Sequence, residues 1–268
     1  MNISPVHDFN QLRQAILQAP IGQEIFVRVA ADIIMEETVC VKDKRLVLEG
    51  GHKLTAAHGV SRHFNVTSGA LTLRHITLSG NDKAAGYSGG LTVSGGKLIL
   101  GDKASILNCR GENIGGAVTV IDGADFYMKE GSLIKECSFL NCGGVYLQGA
   151  SQETRFFFLG GSIENCWGNL SGGVSLNGNA TMIQQGGIMS ENVGYHGGGI
   201  RLNQGEFQFL GGAIEKNRAI KSGGGLYIGR TAHFIQENGV FSDNIAGRSG
   251  SDIWAENAVT RKKLGIFA

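Results

Sequence analysis

The chain has 268 residues, enough for one large domain, and its 43 glycines are about twice the usual share of roughly 7%. Formal charges nearly balance, with 24 basic and 23 acidic side chains, so composition gives no general attraction to nucleic acid or anionic membranes. No apolar run approaches the ~20 residues of a membrane span. We therefore predict a single domain over residues 1–268, with no nucleic-acid partner and no membrane span.

The N-terminal segment predicts a short helix. Asp8 followed three residues later by Gln11 resembles a capping box, and apolar residues then recur on one helical face until Pro20. We predict a helix over residues 8–19 that caps the open end of the fold, where exposed strand edges would otherwise recruit other chains. A membrane-binding or partner-binding helix is the alternative. Residues 24–87 then predict two or three less regular coils.

From residue 88 onwards a glycine-rich mark returns at intervals of 26 to 29 residues. Three short apolar segments follow each mark, with turn residues and no helix between them. Such a unit predicts an all-β fold, a single-stranded right-handed parallel β-helix, with regular coils over 88–257 and a C-terminal cap over 258–268. The marks are Ser88-Gly89-Gly90, Gly115-Gly116-Ala117, Cys142-Gly143-Gly144, Ser171-Gly172-Gly173, Gly197-Gly198-Gly199, Gly223-Gly224-Gly225 and Gly250-Ser251-Asp252.

One position of the third segment carries asparagine or cysteine in every coil. Stacked asparagines predict a ladder of amide hydrogen bonds, and the cysteines in its middle fit a buried packing column. A redox or metal site is the alternative, but no histidine lies in register and no Cys-x-x-Cys occurs. Five cysteines cannot all pair within one chain, which argues against a disulfide framework. The column reads Asn81, Cys109, Cys137, Cys166, Asn192, Asn217 and Asn244.

The first segment of each unit alternates, so its outer two residues should be buried and its middle residue should face outward. Aromatic side chains with an arginine among them suit stacking on sugar rings or anchoring of a protein partner. We therefore predict a ligand-binding site at Tyr146, Arg201, Tyr227 and Trp254, and the alternative is that aromatics simply favour strands. The full outward column reads Thr92, Thr119, Tyr146, Ser175, Arg201, Tyr227 and Trp254.

An enzyme is the rival class, because the chain is similar in architecture to pectate lyases and polygalacturonases, which are β-helices. Such enzymes need clustered carboxylates, or a calcium site with a basic proton acceptor. The outward column contains no acid, and neighbouring acids do not share one register. We predict no catalytic residue, no metal and no cofactor, and keep a polysaccharide lyase or glycoside hydrolase of the β-helix type as the alternative.

The repeats resemble a known group of proteins. Gly115-Gly116-Ala117-Val118, Gly223-Gly224-Gly225-Leu226 and Phe241-Ser242-Asp243-Asn244 look like the Gly-Gly-Ala-(Ile/Leu/Val) and Phe-x-x-Asn repeats of polymorphic outer-membrane proteins. Those proteins are autotransporter adhesins with β-helical passengers, and the resemblance covers about residues 60–257. It implies a bacterial surface or secreted module with an adhesive or structural role.

The resemblance also sets the expected partners and location. The expected partner is a glycan or a host or cell-surface protein, and the expected location is extracellular or the cell surface. A cytoplasmic location is the alternative, because residues 1–7 lack the basic and apolar regions of a signal peptide. A self-assembling scaffold, in which coil stacks associate end to end, is the second alternative for function.

Overall fold

The computed structural model describes residues 2–81, 88–111 and 115–257, and these form the predicted parallel β-helix. Third-position strands of successive coils make a nine-stranded sheet, so the chain winds nine coils. Each strand pairs in parallel with the equivalent strand one coil away, as Val174 to Leu176 does with Ile200 to Leu202. The cap predicted over 258–268 lies outside the described residues.

The first and second strands of the coils belong to one 17-stranded sheet, because two long strands, Val145–Phe158 and Val174–Gln184, run through both positions. The other first strands are Val39–Val41, Phe64–Val66, Leu91–Ser94, Val118–Ile121, Ile200–Leu202, Leu226–Ile228 and Ile253–Ala255. The other second strands are Asn2–Val6, Glu24–Val29, Lys44–Glu49, Gly69–Arg74, Lys97–Leu100, Asp125–Met128, Glu206–Phe209 and His233–Gln236.

The third strands form the nine-stranded sheet and a fourth, shorter set forms a six-stranded sheet. The third strands are Ile33–Met35, Lys53–Ala56, Thr77–Ser79, Ser105–Leu107, Leu133–Lys135, Ser162–Glu164, Ile188–Ser190, Ala213–Glu215 and Val240–Ser242. The fourth strands are Arg110–Gly111, Ser138–Phe139, Trp167–Gly168, Val193–His196, Arg218–Ser222 and Ile245–Ala246.

The fourth strand corrects the expectation of three strands per coil. Most of its members are two residues long, too short to show a period of two in the sequence. In the six described coils that have a fourth strand, a residue in the left-handed region, with φ between 51° and 57°, turns the chain sharply between the third and fourth strands. These corner residues are Asn108, Glu136, Asn165, Glu191, Lys216 and Asp243.

The predicted N-terminal helix is confirmed over Phe9–Gln18. Asp8 caps it, because its Oδ1 accepts a hydrogen bond from the Gln11 amide at 2.8 Å, and the helix packs on the strands of the first coil. A strand missed by the sequence, Asn2–Val6, precedes the helix and pairs in parallel with Glu24–Val29. The buried helical face consists of Phe9, Leu12, Ala15 and Ile16.

The interior is built from stacked like residues. Asn192 donates from Nδ2 to Oδ1 of Asn217 at 3.0 Å, and Asn217 does the same to Asn244 at 3.0 Å, so the predicted amide ladder is confirmed. Cys137 and Cys166 continue this column as buried free thiols, and burial raises the pKa of each well above its usual value. Among the described residues no cluster of histidine, cysteine and acidic side chains is arranged to hold a metal ion.

Candidate functional site

The four predicted site residues lie in one column, as their spacing indicated. Tyr146 and Ser175 are paired across adjacent strands, as are Ser175 and Arg201, then Arg201 and Tyr227, then Tyr227 and Trp254. Neighbouring members are therefore about 4.8 Å apart along the helix axis. We call these five residues the first-strand column.

The column is not the open surface that the alternation predicted. Tyr146 is only 7% exposed, Tyr227 is 6% exposed and Ser175 is fully buried, so the expectation of exposed aromatics is wrong for these positions. Trp254 lies on the last described first strand and is half-buried. The end of a fourth strand adds cover to the column, because the ring of His196 lies 4.5 Å from that of Tyr227.

Both tyrosine hydroxyls in the column are already engaged. Tyr146 donates to Oε1 of Gln148 at 2.9 Å, and Tyr227 donates to Oε1 of Glu256. The other carboxylate oxygen of Glu256, Oε2, lies 3.5 Å from Nε of Arg230. Burial, and then the contact with Glu256, raises the pKa of Tyr227. At neutral pH the Tyr227 hydroxyl is therefore a donor held by a carboxylate.

Arg201 and His196 bring nitrogen groups to the same place. Arg201 donates from Nη2 to Oδ1 of Asn203 at 2.9 Å, while its buried Nε has no hydrogen-bond partner. Burial lowers the pKa of Arg201, and burial together with the charges of Lys221 and Arg201 lowers the pKa of His196. Neither this Nε of Arg201 nor the buried Nδ1 of His196 has a partner among the residues that the structure describes, so the cluster carries incompletely satisfied polar atoms.

Sequence reasoning missed Glu256 because it ended each first strand at its third residue. The alternation continues beyond the third residue and gives a second outward position two residues after each member of the column. Gln148, Asn203 and Glu256 occupy this second position. The outward column itself contains no acid, as predicted, but the carboxylate of Glu256 lies against Tyr227 from this neighbouring position.

The most exposed apolar side chains near the fourth strand form a different surface. Trp167 is 43% exposed and Tyr195 is 42% exposed, and they lie on adjacent strands. We call this surface the fourth-strand face. Its exposed apolar members are Leu140, Trp167, Tyr195, Ile220 and Ile245, and its basic members are Arg110, Arg218, Lys221 and Arg248.

Within its described segments, the fourth-strand face carries charge of one sign. None of its four basic side chains pairs with a carboxylate within the part of the chain that the structure describes, and Nζ of Lys221 lies 5.8 Å from the ring centre of Tyr195. A cleft of about 320 Å³ opens beside Trp167, between Arg110 and Leu140. No aspartate or glutamate occurs in the described segments of this face, which are 110–111, 138–143, 167–171, 193–197, 218–222 and 245–249.

A third outward surface lies on the second strands. Tyr127 and Phe157 stack there with ring centres 4.5 Å apart and planes 10° from parallel, so each ring covers one face of the other. Lys97 lies over Tyr127, and Arg155 over Phe157, with cation to ring-centre distances of 5.0 and 5.6 Å. We call this surface the second-strand face.

Comparison with known protein families, with curated proteins and with solved structures finds no match for this chain. The fold therefore defines it as a parallel β-helix protein, and the resemblance of its repeats to polymorphic outer-membrane proteins stays a prediction. No helix among the described residues is long and apolar enough to cross a membrane.

Proposed function

We propose that this chain is a noncatalytic, adhesin-like module that binds an extended acidic glycan along its fourth-strand face. The observation that carries the proposal is the pair of exposed aromatics, Trp167 and Tyr195, on adjacent coils of a surface whose described segments carry only basic charges. Aromatic faces stack on sugar rings, and arginine forms bidentate hydrogen bonds with carboxylates. The proposal implies an extracellular or cell-surface location, on a bacterial cell, where such glycans are accessible.

The choice of surface follows from which ring faces are free. Tyr127 and Phe157 cover one another on the second-strand face, so they present mainly their edges outward. Trp167, in contrast, stacks on no ring in the described part of the chain. In the first-strand column, Tyr146 and Tyr227 retain too little exposed surface to act as a stacking platform. We therefore propose the fourth-strand face, rather than the first-strand column, as the ligand site.

A glycan array probed with the folded protein tests the proposal. We expect retention of glycans with carboxylate or sulfate groups, and we expect Trp167→Ala with Tyr195→Ala to weaken binding by about 1 to 3 kcal/mol for each central contact, roughly 5- to 150-fold. Ile188→Ala is the matched control, because Ile188 is equally exposed but lies on a third strand. Binding that survives in the double variant would exclude this face.

The basic residues give a second, independent readout. Arg218→Glu should weaken binding and reduce its dependence on salt, because an arginine contact to an acidic sugar is screened by ions. Lys129→Glu carries the same charge change at an exposed corner between the second and third strands, and it should leave binding unchanged. Equal loss in both variants would mean that net charge, rather than this face, attracts the ligand.

A polysaccharide lyase is the second candidate, because the first-strand column brings together groups that elimination can use. The Tyr227 hydroxyl contacts Glu256, while Arg201 and His196 lie beside it with unpaired nitrogens. Incubating each array hit with the protein and analysing the products separates the two functions. Unsaturated oligosaccharides that disappear with Tyr227→Phe would replace the binding proposal with the lyase, and intact glycans support the noncatalytic module.

A further inference from the structure

The second-strand face carries two outward columns of side chains that run along the helix axis. The first of them alternates in charge, and the second is mostly apolar. In coil order, the charged column reads Lys97, Asp125, Arg155, Thr181, Glu206 and His233. In the same order, the apolar column reads Ile99, Tyr127, Phe157, Ile183, Gln208 and Ile235.

This surface is open in the single chain. Ile235 is 45% exposed, and a groove of about 480 Å³ lies around Thr181 and Ile183. The groove is lined by the half-buried Phe157 and Ile183 and is rimmed by charged side chains, an arrangement that is typical of an interaction surface. The sequence of charges along the groove then decides which partner fits.

Along the charged column, the side chains on the two sides of Thr181 carry opposite charges. Thr181 itself donates from Oγ1 to Oε1 of Glu153 at 2.6 Å, so this exposed carboxylate also lies at the centre of the groove. Arg155 lies one coil before Thr181 and Glu206 lies one coil after it, while Asp125 and His233 lie two coils before and after. A two-fold axis along the Thr181 strand reverses the order of the coils in a facing copy. Arg155 then faces Glu206 of the second copy, twice per dimer.

We propose that the chain forms an antiparallel dimer with a second copy of itself through the second-strand face, with the two-fold axis at Thr181. An interface of this kind is isologous, so one patch must complement itself. The apolar column meets that requirement, because Ile183 faces its own copy and Phe157 faces Gln208 of the second copy.

Other positions of the axis fit less well. An axis at Arg155 would set two arginines opposite one another, and an axis at Glu206 would do the same with two glutamates. An axis midway between Asp125 and Arg155 gives pairs of opposite sign, but these two side chains already form a bidentate pair within one copy at 2.8 and 3.0 Å. The Thr181 axis gives Arg155 a second carboxylate beside Asp125. It also places a cation opposite Glu206, which within one copy accepts a hydrogen bond from Gln208, and it closes the groove.

The dimer should be weak and dependent on concentration. From Asp125 to His233 the contact spans four coil steps, about 19 Å at about 4.8 Å per coil. A strip of this length falls at the low end of specific interfaces, which bury roughly 800 Å² per partner. The charge pairs at its rim should also make dimerisation weaker at high salt.

Sedimentation equilibrium of the full chain over a range of concentrations tests the inference. We expect wild type to dimerise, and Glu206→Arg and Arg155→Glu each to weaken dimerisation at least tenfold, because each places like charges opposite one another. A mixture of the two variants should recover a dimer, since the two arginines of the Glu206→Arg chain then face the two glutamates of the Arg155→Glu chain. Circular dichroism reports whether each variant is folded.

The mixture of the two variants tests whether residue 155 of one copy faces residue 206 of the other. Glu191→Arg, at an exposed corner away from this face, is the matched control and should dimerise as wild type does. A wild-type chain that is monomeric at every concentration overturns the inference. A dimer that Glu206→Arg does not weaken also overturns the inference, and this result is expected if the chains associate end to end. A mixture of the two variants that fails to dimerise overturns it as well. Trp167→Ala leaves this readout unchanged, so the dimer and the glycan site can fail separately.

Discussion

His63 should make the stability of the β-helix depend on pH. Its ring is fully buried, its Nδ1 accepts from the Gly90 amide at 3.0 Å, and its Nε2 donates to the carbonyls of Leu54 and Ser79 at 3.0 and 3.1 Å. Burial lowers the pKa of His63 from 6.5 to about 4. The neutral ring therefore joins three coils, and protonation removes its only acceptor.

The sign and size of the effect follow from linkage. The pKa of His63 is lower in the folded chain, so its contribution to stability is complete above pH 6.5, where both states are neutral. As the pH falls from 6.5 towards 4, the unfolded chain takes up a proton that the folded chain does not, and the free energy of unfolding decreases. A pKa difference of about 2.5, at about 1.4 kcal/mol per pH unit, makes the total loss about 3 kcal/mol.

Urea denaturation at about pH 7.5 and about pH 4, followed by circular dichroism, measures this loss. His63→Gln keeps a donor and an acceptor but does not titrate. Between these two pH values its free energy of unfolding should therefore fall by about 3 kcal/mol less than that of wild type. Comparing the two cancels the carboxylates that titrate in the same range. His58→Gln removes an exposed imidazole and serves as the control. Equal losses in wild type and His63→Gln would refute the argument.

Three further predictions concern the thiols, the coil register and the helix cap. A thiol reagent should modify only the exposed Cys40 in the native chain, whereas all five cysteines should react after denaturation; native reaction of Cys137 would contradict its burial. Ile200→Asp should cost about 4 kcal/mol or more in thermal or urea denaturation, and Ser175→Asp should cost less because Arg201 lies on the adjacent strand; equal losses would oppose this. Asp8→Ala should destabilise the chain by about 1 kcal/mol in the same assay, and no change would show that the cap is unimportant.

The coil register could be read from the sequence because the glycine marks and the alternation encode it directly. Tyr227 and Trp254, for example, are aligned by their marks and are paired across adjacent strands. The alternation also predicted that Ile200 and Leu202 are buried, as they are. An alternation with a period of two shows on which side of its strand each residue lies. In a stack of coils this information is enough to fix the pairing of the strands.

What covers a residue from outside could not be read in the same way. Ser175 lies on the outer side of its strand, between Tyr146 and Arg201 on the adjacent strands, and is still fully buried. The ring of His196, which packs on Tyr227, comes from the end of a fourth strand, a strand that the sequence pattern did not predict. For the same reason the fourth-strand face was missed, since most of its strands are two residues long.

The two proposed surfaces have consequences for one another. They are formed by different strands of the coil, so docking of two copies through the second-strand faces leaves both fourth-strand faces open. A dimer would then offer two glycan sites at a fixed separation, and binding at one site would raise the effective concentration of a long glycan at the other. Wild type should therefore bind a glycan polymer more tightly than Glu206→Arg does, while the two proteins should bind a short oligosaccharide equally. If wild type and Glu206→Arg bound the polymer with equal affinity, a single glycan could not reach both sites of the dimer.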